Sequence, residues 1–247
     1  MPNLLITDLG LISYTDAYAL QQRLVAARKA NAIEDVLLLC EHPHVITLGR
    51  NANRNNLLAS EHVLRQKNVE LHATNRGGDI TYHGPGQIVG YPILNLDKIK
   101  RDVGWYVRTL EEAMIRASTD VNVAAYRVQG KTGIWVHATP LEEKLAAIGV
   151  HISRWVTSHG FAYNVSTNLR YFDLIVPCGI ADRKATSLEK LLQRSISSAE
   201  VKPRLAHHLA NLLDRDPRPA AREEIESHLD VHFKQESKWG NDAHHSS

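Results

Sequence analysis

Between Arg76 and Gln87 the chain reads Arg-Gly-Gly-Asp-Ile-Thr-Tyr-His-Gly-Pro-Gly-Gln, with glycines at 77, 78, 84 and 86. Glycine loses more backbone freedom on folding than any other residue. Such a density therefore marks a chain that turns sharply or a backbone that something must approach closely. The flanking runs, Val69 to Thr74 and Ile88 to Leu94, have the composition of buried strands. A polar, glycine-rich loop between two strands can hold a carbonyl group against backbone N–H groups, with Arg76, Thr81 and His83 as further donors. The same segment also fits a plain structural hairpin loop.

Two nucleotide-binding patterns are tested and rejected. Gly84-Pro-Gly86-Gln-Ile-Val-Gly90 has its third glycine one residue late for a dinucleotide fingerprint, and it runs into a strand instead of a helix. Gly130-Lys131-Thr132 resembles the end of a phosphate loop. However, Ala125 stands where the earlier glycine belongs, and Gly133-Ile-Trp-Val reads as strand.

At 247 residues, 43% hydrophobic and 23% charged, the chain suits one globular α/β-type domain. A net charge of +2 with no run of Lys or Arg argues against a nucleic-acid partner. The N-terminal segment lacks the basic and apolar regions of a leader, and no stretch approaches the ~18 apolar residues of a membrane span. No membrane association is expected. Cys40 and Cys178 sit in unlike contexts and do not suggest a disulfide framework, so reduced thiols in a cytoplasmic protein are expected.

Helical spacing of Ala17, Leu20, Leu24 and Ala27 predicts a helix over 15–30, and Trp105, Leu110, Met114 and Ala117 predict another over 104–118. Strands are expected at 36–40, 45–48, 133–137, 145–152, 161–165 and 174–176, followed by short helices around Leu188–Leu192 and Leu205–Leu212. Helices grouped at both ends with strands between favour an α+β sheet. Asp214-Arg-Asp-Pro-Arg-Pro219 is the one plausible boundary. It predicts a main domain over 1–213 and an extension over 214–247, a polar helix with a disordered end from 240.

Cys178 lies in Pro177-Cys-Gly179, where proline extends the chain before the thiol and glycine frees it afterwards. That setting presents a nucleophile: for an arbitrary cysteine inert packing is the better reading, and the Pro-Cys-Gly setting brings the two readings level for Cys178. Cys40 ends an apolar run and reads as core. Lys144 opens the small-residue strand Leu145-Ala-Ala-Ile-Gly-Val-His151, where it either snorkels to water or meets an anion. The residues alone do not place it beside Cys178. His42-Pro-His44 and the pair His228 and His232 have chelate-like spacing without supporting ligands, so no metal is expected. In His159-Gly-Phe-Ala-Tyr-Asn164 the small residues again permit close approach of a substrate.

Taken together these segments resemble the lipoyl(octanoyl) transferases. The resemblance rests on Arg76-Gly-Gly-x-x-Thr-Tyr-His-x-x-Gly-Gln-x-Val-x-Tyr91. Around it, in the expected order, stand His42-Pro-x-x-Ile-Thr-x-Gly-Arg50, Lys144-x-Ala-Ala-Ile-Gly149, His159-Gly-x-Ala-x-Asn164 and Pro177-Cys-Gly179. Ile46 departs from the pattern, since an aromatic is common there. The match covers about residues 4 to 212.

This resemblance implies an α+β fold shared with biotin and lipoate protein ligases, a mixed, largely antiparallel sheet flanked by helices. It makes 1–213 an octanoyltransferase catalytic domain with a Cys178/Lys144 dyad. Substrate contacts are implied at Arg76, Gly77, Gly78, Asp79, Ile80, Thr81, Tyr82 and His83, at Ala147, Ile148 and Gly149, and at Gly160, Phe161 and Ala162. The implied donor is octanoyl-acyl carrier protein. The implied acceptors are the lipoyl domains of 2-oxoacid dehydrogenases and the glycine cleavage H protein. A monomer is expected and no cofactor is needed. Two rivals remain: an ATP-dependent lipoate or biotin ligase on the same fold, and a non-catalytic module that binds carrier domains.

Overall fold

The computed structural model describes residues 1–138, 140–176 and 184–242. The chain opens with β1 (Asn3–Leu11), followed by helix α1 (Tyr14–Lys29). The Ser13 hydroxyl caps α1 by accepting the Asp16 N–H at 3.1 Å, an interaction of about 1 kcal/mol. Next come β2 (Asp35–Glu41), β3 (Val45–Leu48), the short helix α2 (Glu61–Gln66), β4 (Glu70–Ala73), β5 (Ile80–His83) and β6 (Gln87–Ile93). Helix α3 (Val103–Thr119), capped by Asp102 on the Trp105 N–H at 2.8 Å, leads into β7 (Ala125–Val128), β8 (Lys131–Val136), β9 (Glu143–Ser153) and β10 (Val156–Asn164). The chain closes with α4 (Leu188–Leu192), α5 (Ser198–Leu212), β11 (Asp216–Pro219) and α6 (Arg222–Asp242).

Among the described residues, the large sheet has the order β11-β1-β2-β6-β10-β9-β8-β7, and a small one the order β4-β3-β5. β1 pairs in parallel with both β2 and β11, and the remaining pairs of the large sheet are antiparallel. The fold is therefore the expected α+β arrangement. β2 explains the layering. Val36, Leu38 and Cys40 point to α1 and α6, Leu37 and Leu39 point to α3 and α5, and all five are buried. Period-two alternation with both faces apolar is what a strand sandwiched between two helical layers requires. A third cluster, including Ile46, Ile80, Tyr82, Leu174 and Ile175, backs the small sheet.

The glycine-rich segment is not one loop. Two glycine turns bracket β5, whose Ile80 and Tyr82 are buried in the third cluster while Thr81 and His83 face the other way. Residues 174–176, expected as strand, instead leave a 3-10 turn over Leu169–Leu174. The Ile175 N–H closes that turn on the Phe172 carbonyl, so only a single bridge from Ile175 to Leu57 remains. The boundary expected at 213 falls between α5 and β11. Beyond it, β11 adds an edge strand to the main sheet, and Ile225 and Leu229 of α6 are fully buried.

Candidate active site

The site begins where the first glycine turn lies flat on β9. The Gly77 N–H donates to the Val150 carbonyl at 2.9 Å. A side chain at Gly149 would bring its Cβ within 2.9 Å of the Gly77 carbonyl oxygen, so this approach needs glycine. Gly78 takes φ +86°, which disfavours any side chain. Arg50 and Asn51 donate backbone N–H groups to the Arg76 and Gly78 carbonyls. The Arg76 guanidinium, only 7% exposed, gives Nε and Nη2 to Thr47 and Nη1 to the Gly77 carbonyl. Burial of this guanidinium strengthens its positive field inside the site.

Behind the turn lies a narrow cavity of about 50 Å3. Of the residues implied as substrate contacts, it is lined by Arg76, Gly78, Asp79, Ile80, Thr81, His83, Ala147, Ile148, Gly149, Gly160, Phe161 and Ala162. Tyr14, Val89, Tyr91 and His159 complete the wall. Tyr82 points away from this slot. Its hydroxyl pairs with His44 Nδ1 at 2.7 Å, and its ring stacks on Tyr171. Gly77 lies at the mouth, outside the slot itself. The bore depends on sheet register. Gly160 sits opposite Gly149, and Phe161 sits opposite both Ile148 and Gly90. A Cβ at Gly90 would lie 2.0 Å from the Phe161 ring, which therefore crosses the sheet where no side chain stands.

The imidazoles around the slot are held neutral. Burial, followed by the nearby His42, pushes His83 down to about 3. Its tautomer follows from the amide beside it. Gln87 spends its NH2 group on the Tyr82 carbonyl and Asn164 Oδ1, so Gln87 Oε1 accepts from His83 Nδ1 at 2.8 Å. His159 is lowered to about 4 by burial and then by Arg76, and its Nε2 lies 2.6 Å from Asn75 Oδ1. The proton affinity of each is too low for an efficient base at neutral pH, which leaves them as hydrogen-bonding groups. His42, also depressed by burial, donates Nδ1–H to the Ile12 carbonyl and accepts from the Tyr91 hydroxyl at 2.7 Å. It is spent on structure, and among the described residues no cluster of three His, Cys, Asp or Glu side chains could hold a metal.

The slot opens into an outer cleft of about 480 Å3 that shares Gly78, Asp79, Ala147, Ile148 and Gly149 with it. Lys144 lies on the wall of this cleft, its Nζ 4.8 Å from the centre of the Trp135 ring. Cys178 falls outside the described residues, but the chain on either side of its segment is fixed. Before it, the Val176 N–H donates to the Asn56 carbonyl at 2.7 Å, and the Asn56 side chain binds the Asp79 carboxylate. After it, the Lys184 carbonyl accepts the Lys144 N–H and the Lys144 carbonyl accepts the Thr186 N–H, each at 2.9 Å. Asp79, implied as a substrate contact, thus also anchors the strand of chain that leads toward the thiol.

Sequence reasoning did not single out Tyr14, Thr47, Asn56 or Asn75. Thr47 and Tyr91 lay inside quoted motifs without a role, and nothing local to Tyr14 or Asn56 distinguishes them from capping and surface residues.

The sequence model of the lipoyl protein ligase A/B catalytic domain family matches residues 13–210. An octanoyltransferase of Solibacter usitatus is 52% identical over 221 residues, spanning 90% of this chain and 98% of that relative. One of Acidobacterium capsulatum is 54% identical over 193 residues, 74% of this chain and 78% of the relative. Among solved structures, a bi-partite lipoate protein ligase of Thermoplasma acidophilum superposes with a TM-score of 0.71. At 15% identity, covering 95% of this chain and 93% of that one, it bears on the fold alone.

Proposed function

Because the chain belongs to the lipoyl protein ligase A/B catalytic family, and within it to the octanoyltransferases, we propose that this enzyme carries octanoate from acyl carrier protein to lipoyl domains through Cys178. In the first step the Cys178 thiolate attacks the carbonyl of the donor thioester. The carrier leaves as a thiol, taking up the proton that Cys178 lost by way of Lys144. In the second step the neutral ε-amine of an acceptor lysine attacks the octanoyl-Cys178 thioester. An amide forms, the amine's proton passes to the departing sulfur, and free Cys178 returns. Thioester is exchanged for thioester and then for the more stable amide, so neither nucleotide nor metal has to supply energy.

The observation that carries this reading is the junction of slot and cleft. The lysine wall is hydrogen-bonded, through Lys144 itself, to the chain that follows the Cys178 segment. An ammonium beside a thiol favours the thiolate, which a free thiol near ~8.5 supplies only sparsely at neutral pH. The slot wall of Val89, Ile148 and Phe161 suits an alkyl chain, at roughly 0.8 kcal/mol per buried methylene. The backbone at Gly78 and near Cys178 is a candidate to bind the tetrahedral oxyanion, the Gly77 N–H being spent on Val150. Because His83 and His159 are neutral and weakly basic, the proton traffic is assigned to Lys144. Acceptors are the lipoyl domains of 2-oxoacid dehydrogenases and the glycine cleavage H protein, and the setting is the cytoplasm. No helix among the described residues is long and apolar enough to cross a membrane.

The test is intact-mass analysis after mixing with octanoyl-carrier. Wild type gains one octanoyl group, Cys178→Ala gains none, and Lys144→Ala gains it at least ~100-fold more slowly with unchanged circular dichroism. Acylation of Cys178→Ala at the wild-type rate would remove the nucleophile from the scheme. Full activity of that variant with free octanoate and ATP would place the chain among the ligases instead.

A further inference from the structure

A strip of cations leads away from the mouth of the slot along β9. Gly149, His151 and Ser153 alternate with the residues that face α3 and so share the other face of the strand. Gly149 touches the Gly77 turn at the mouth. Two residues on, His151 is lowered by burial and then by Arg50 and Lys29, which places two positive charges around it. Ser153 Oγ accepts from Lys29 Nζ at 3.0 Å. Arg154, in the turn between β9 and β10 at φ +50°, adds its own repulsion to Lys29, whose pKa is lowered by burial first.

Several surface cations elsewhere meet a carboxylate, as Arg23 does with Asp230, Arg116 with Glu112 and Lys190 with Glu143. Among the described residues no carboxylate oxygen comes within 4.0 Å of Lys29, Arg50 or Arg154. The C-terminal end of α1 accounts for one cation in this region, not for three. The strip is thus a run of like charge, half-buried at Lys29 and exposed at Arg50 and Arg154, whose repulsion an anion would relieve.

We propose that this strip receives the phosphodiester of the donor's phosphopantetheine arm, with Lys29 and Arg154 gripping the phosphate and Arg50 flanking the arm. The inference rests on the octanoyltransferase reading, which puts the donor's sulfur at the junction of slot and cleft. Length supports it. From sulfur to phosphorus the arm has about thirteen bonds and spans roughly 16 Å when extended. From Gly149 to Ser153 the strand advances about 13 Å. An arm whose thioester sits just inside the mouth therefore brings its phosphate to the far end of β9. The hydrogen-bonding amides of the arm would run along the strand, and the carrier's folded body would stay clear of the slot.

The experiment compares two small donors, octanoyl-phosphopantetheine and octanoyl-pantetheine, which differ only in the phosphate. With wild type the phosphorylated donor should show a KM about tenfold lower at equal kcat, the difference shrinking as salt rises. Lys29→Gln/Arg154→Gln should abolish that preference while leaving the KM for octanoyl-pantetheine unchanged. Equal KM values for both donors with wild type would overturn the proposal. So would a double variant that weakens both donors alike, or one that loses activity only with the intact carrier, which would assign the strip to the carrier's protein surface. If no donor, the intact carrier included, acylates Cys178, the transferase reading itself fails, and the strip loses its ligand with it.

Discussion

Arginine is buried both beside the slot and at the start of β2, and the two regions balance its charge in different ways. At the start of β2, Asp35 is 3% exposed and holds Arg28 at 2.8 Å through one oxygen and Arg215 at 3.1 Å through the other. The same carboxylate accepts the Asn95 N–H at 2.9 Å. This clamp ties the end of α1, β2 and the chain leading into β11. Beside the slot, Arg76 is held by Thr47 and the Gly77 carbonyl, and its charge is felt by His83 and His159, both pushed toward the neutral form. The charges of the clamp tie elements together, whereas the charge of Arg76 also conditions the imidazoles around the slot.

The largest effect expected from this contrast is on folding. Asp35→Ala leaves two buried guanidiniums without their carboxylate, a loss of about 3–5 kcal/mol. Urea unfolding should register most of that at pH 7, while the octanoyl-transfer rate per folded molecule stays within about twofold. A variant that remains stable but loses activity would break the comparison, because the clamp would then be coupled to the slot.

These two regions also differ in how far they can be read from sequence. The slot announces itself because its requirements are local and steric. Glycines at 77, 78, 149 and 160 are needed where backbones meet or φ turns positive, and a missing side chain is visible in a string of letters. Tyr82 shows where that reading stops. It belongs to the same motif, but strand alternation in β5 turns its ring into the third cluster. The clamp joins residues up to 180 positions apart, each charged and exposed by default, so nothing local signals it.

β11 was hidden for a related reason. Pro217 and Pro219 read as a boundary, yet the Asp216 and Ala220 N–H groups point to Pro2 and Ile6. The intervening prolines therefore turn their donor-less nitrogens outward, the one place a sheet tolerates them. Of the aromatic rim of the slot, Tyr91 stood inside the motif, whereas Tyr14 depends on the packing of α1 across the sheet and had no sequence signal of its own.

The next effect concerns pH and the histidines of the slot. His83 and His159 have folded pKa values of about 3 and about 4, below the ordinary 6.5, so the unfolded chain binds protons more readily. Their contribution is fully present above about pH 6.5 and is lost as pH falls through the window down to their folded values. Within that window each removes up to about 1.4 kcal/mol per pH unit, or nearly ~3 together. Urea midpoints should therefore drop steeply between pH 6 and pH 4.5. His83→Gln/His159→Gln should flatten that slope whatever its starting stability. An unchanged slope would mean the slot is wetter or less positive than its burial and Arg76 imply.

The smallest effect tests whether the mouth of the slot is set by contact or by backbone conformation. In Gly149→Ala the new methyl would stand 2.9 Å from the Gly77 carbonyl oxygen and 3.2 Å from Arg76 Cδ, with no positive φ to strain. The turn must lift by a few tenths of an ångström, which displaces Arg76 and narrows the path from cleft to slot. Acylation of Cys178 by octanoyl-carrier should slow by about tenfold, at a stability cost near ~1 kcal/mol. Gly10→Ala supplies the opposite case, since φ is +62° there and nothing lies within 4 Å of the added carbon. It should cost a similar ~1 kcal/mol of stability through backbone strain and leave acylation unchanged. Equal losses of rate in both variants would show that the rate follows general stability. A loss confined to Gly149→Ala would show that the Gly77 carbonyl, pressed against β9, sets the width of the mouth.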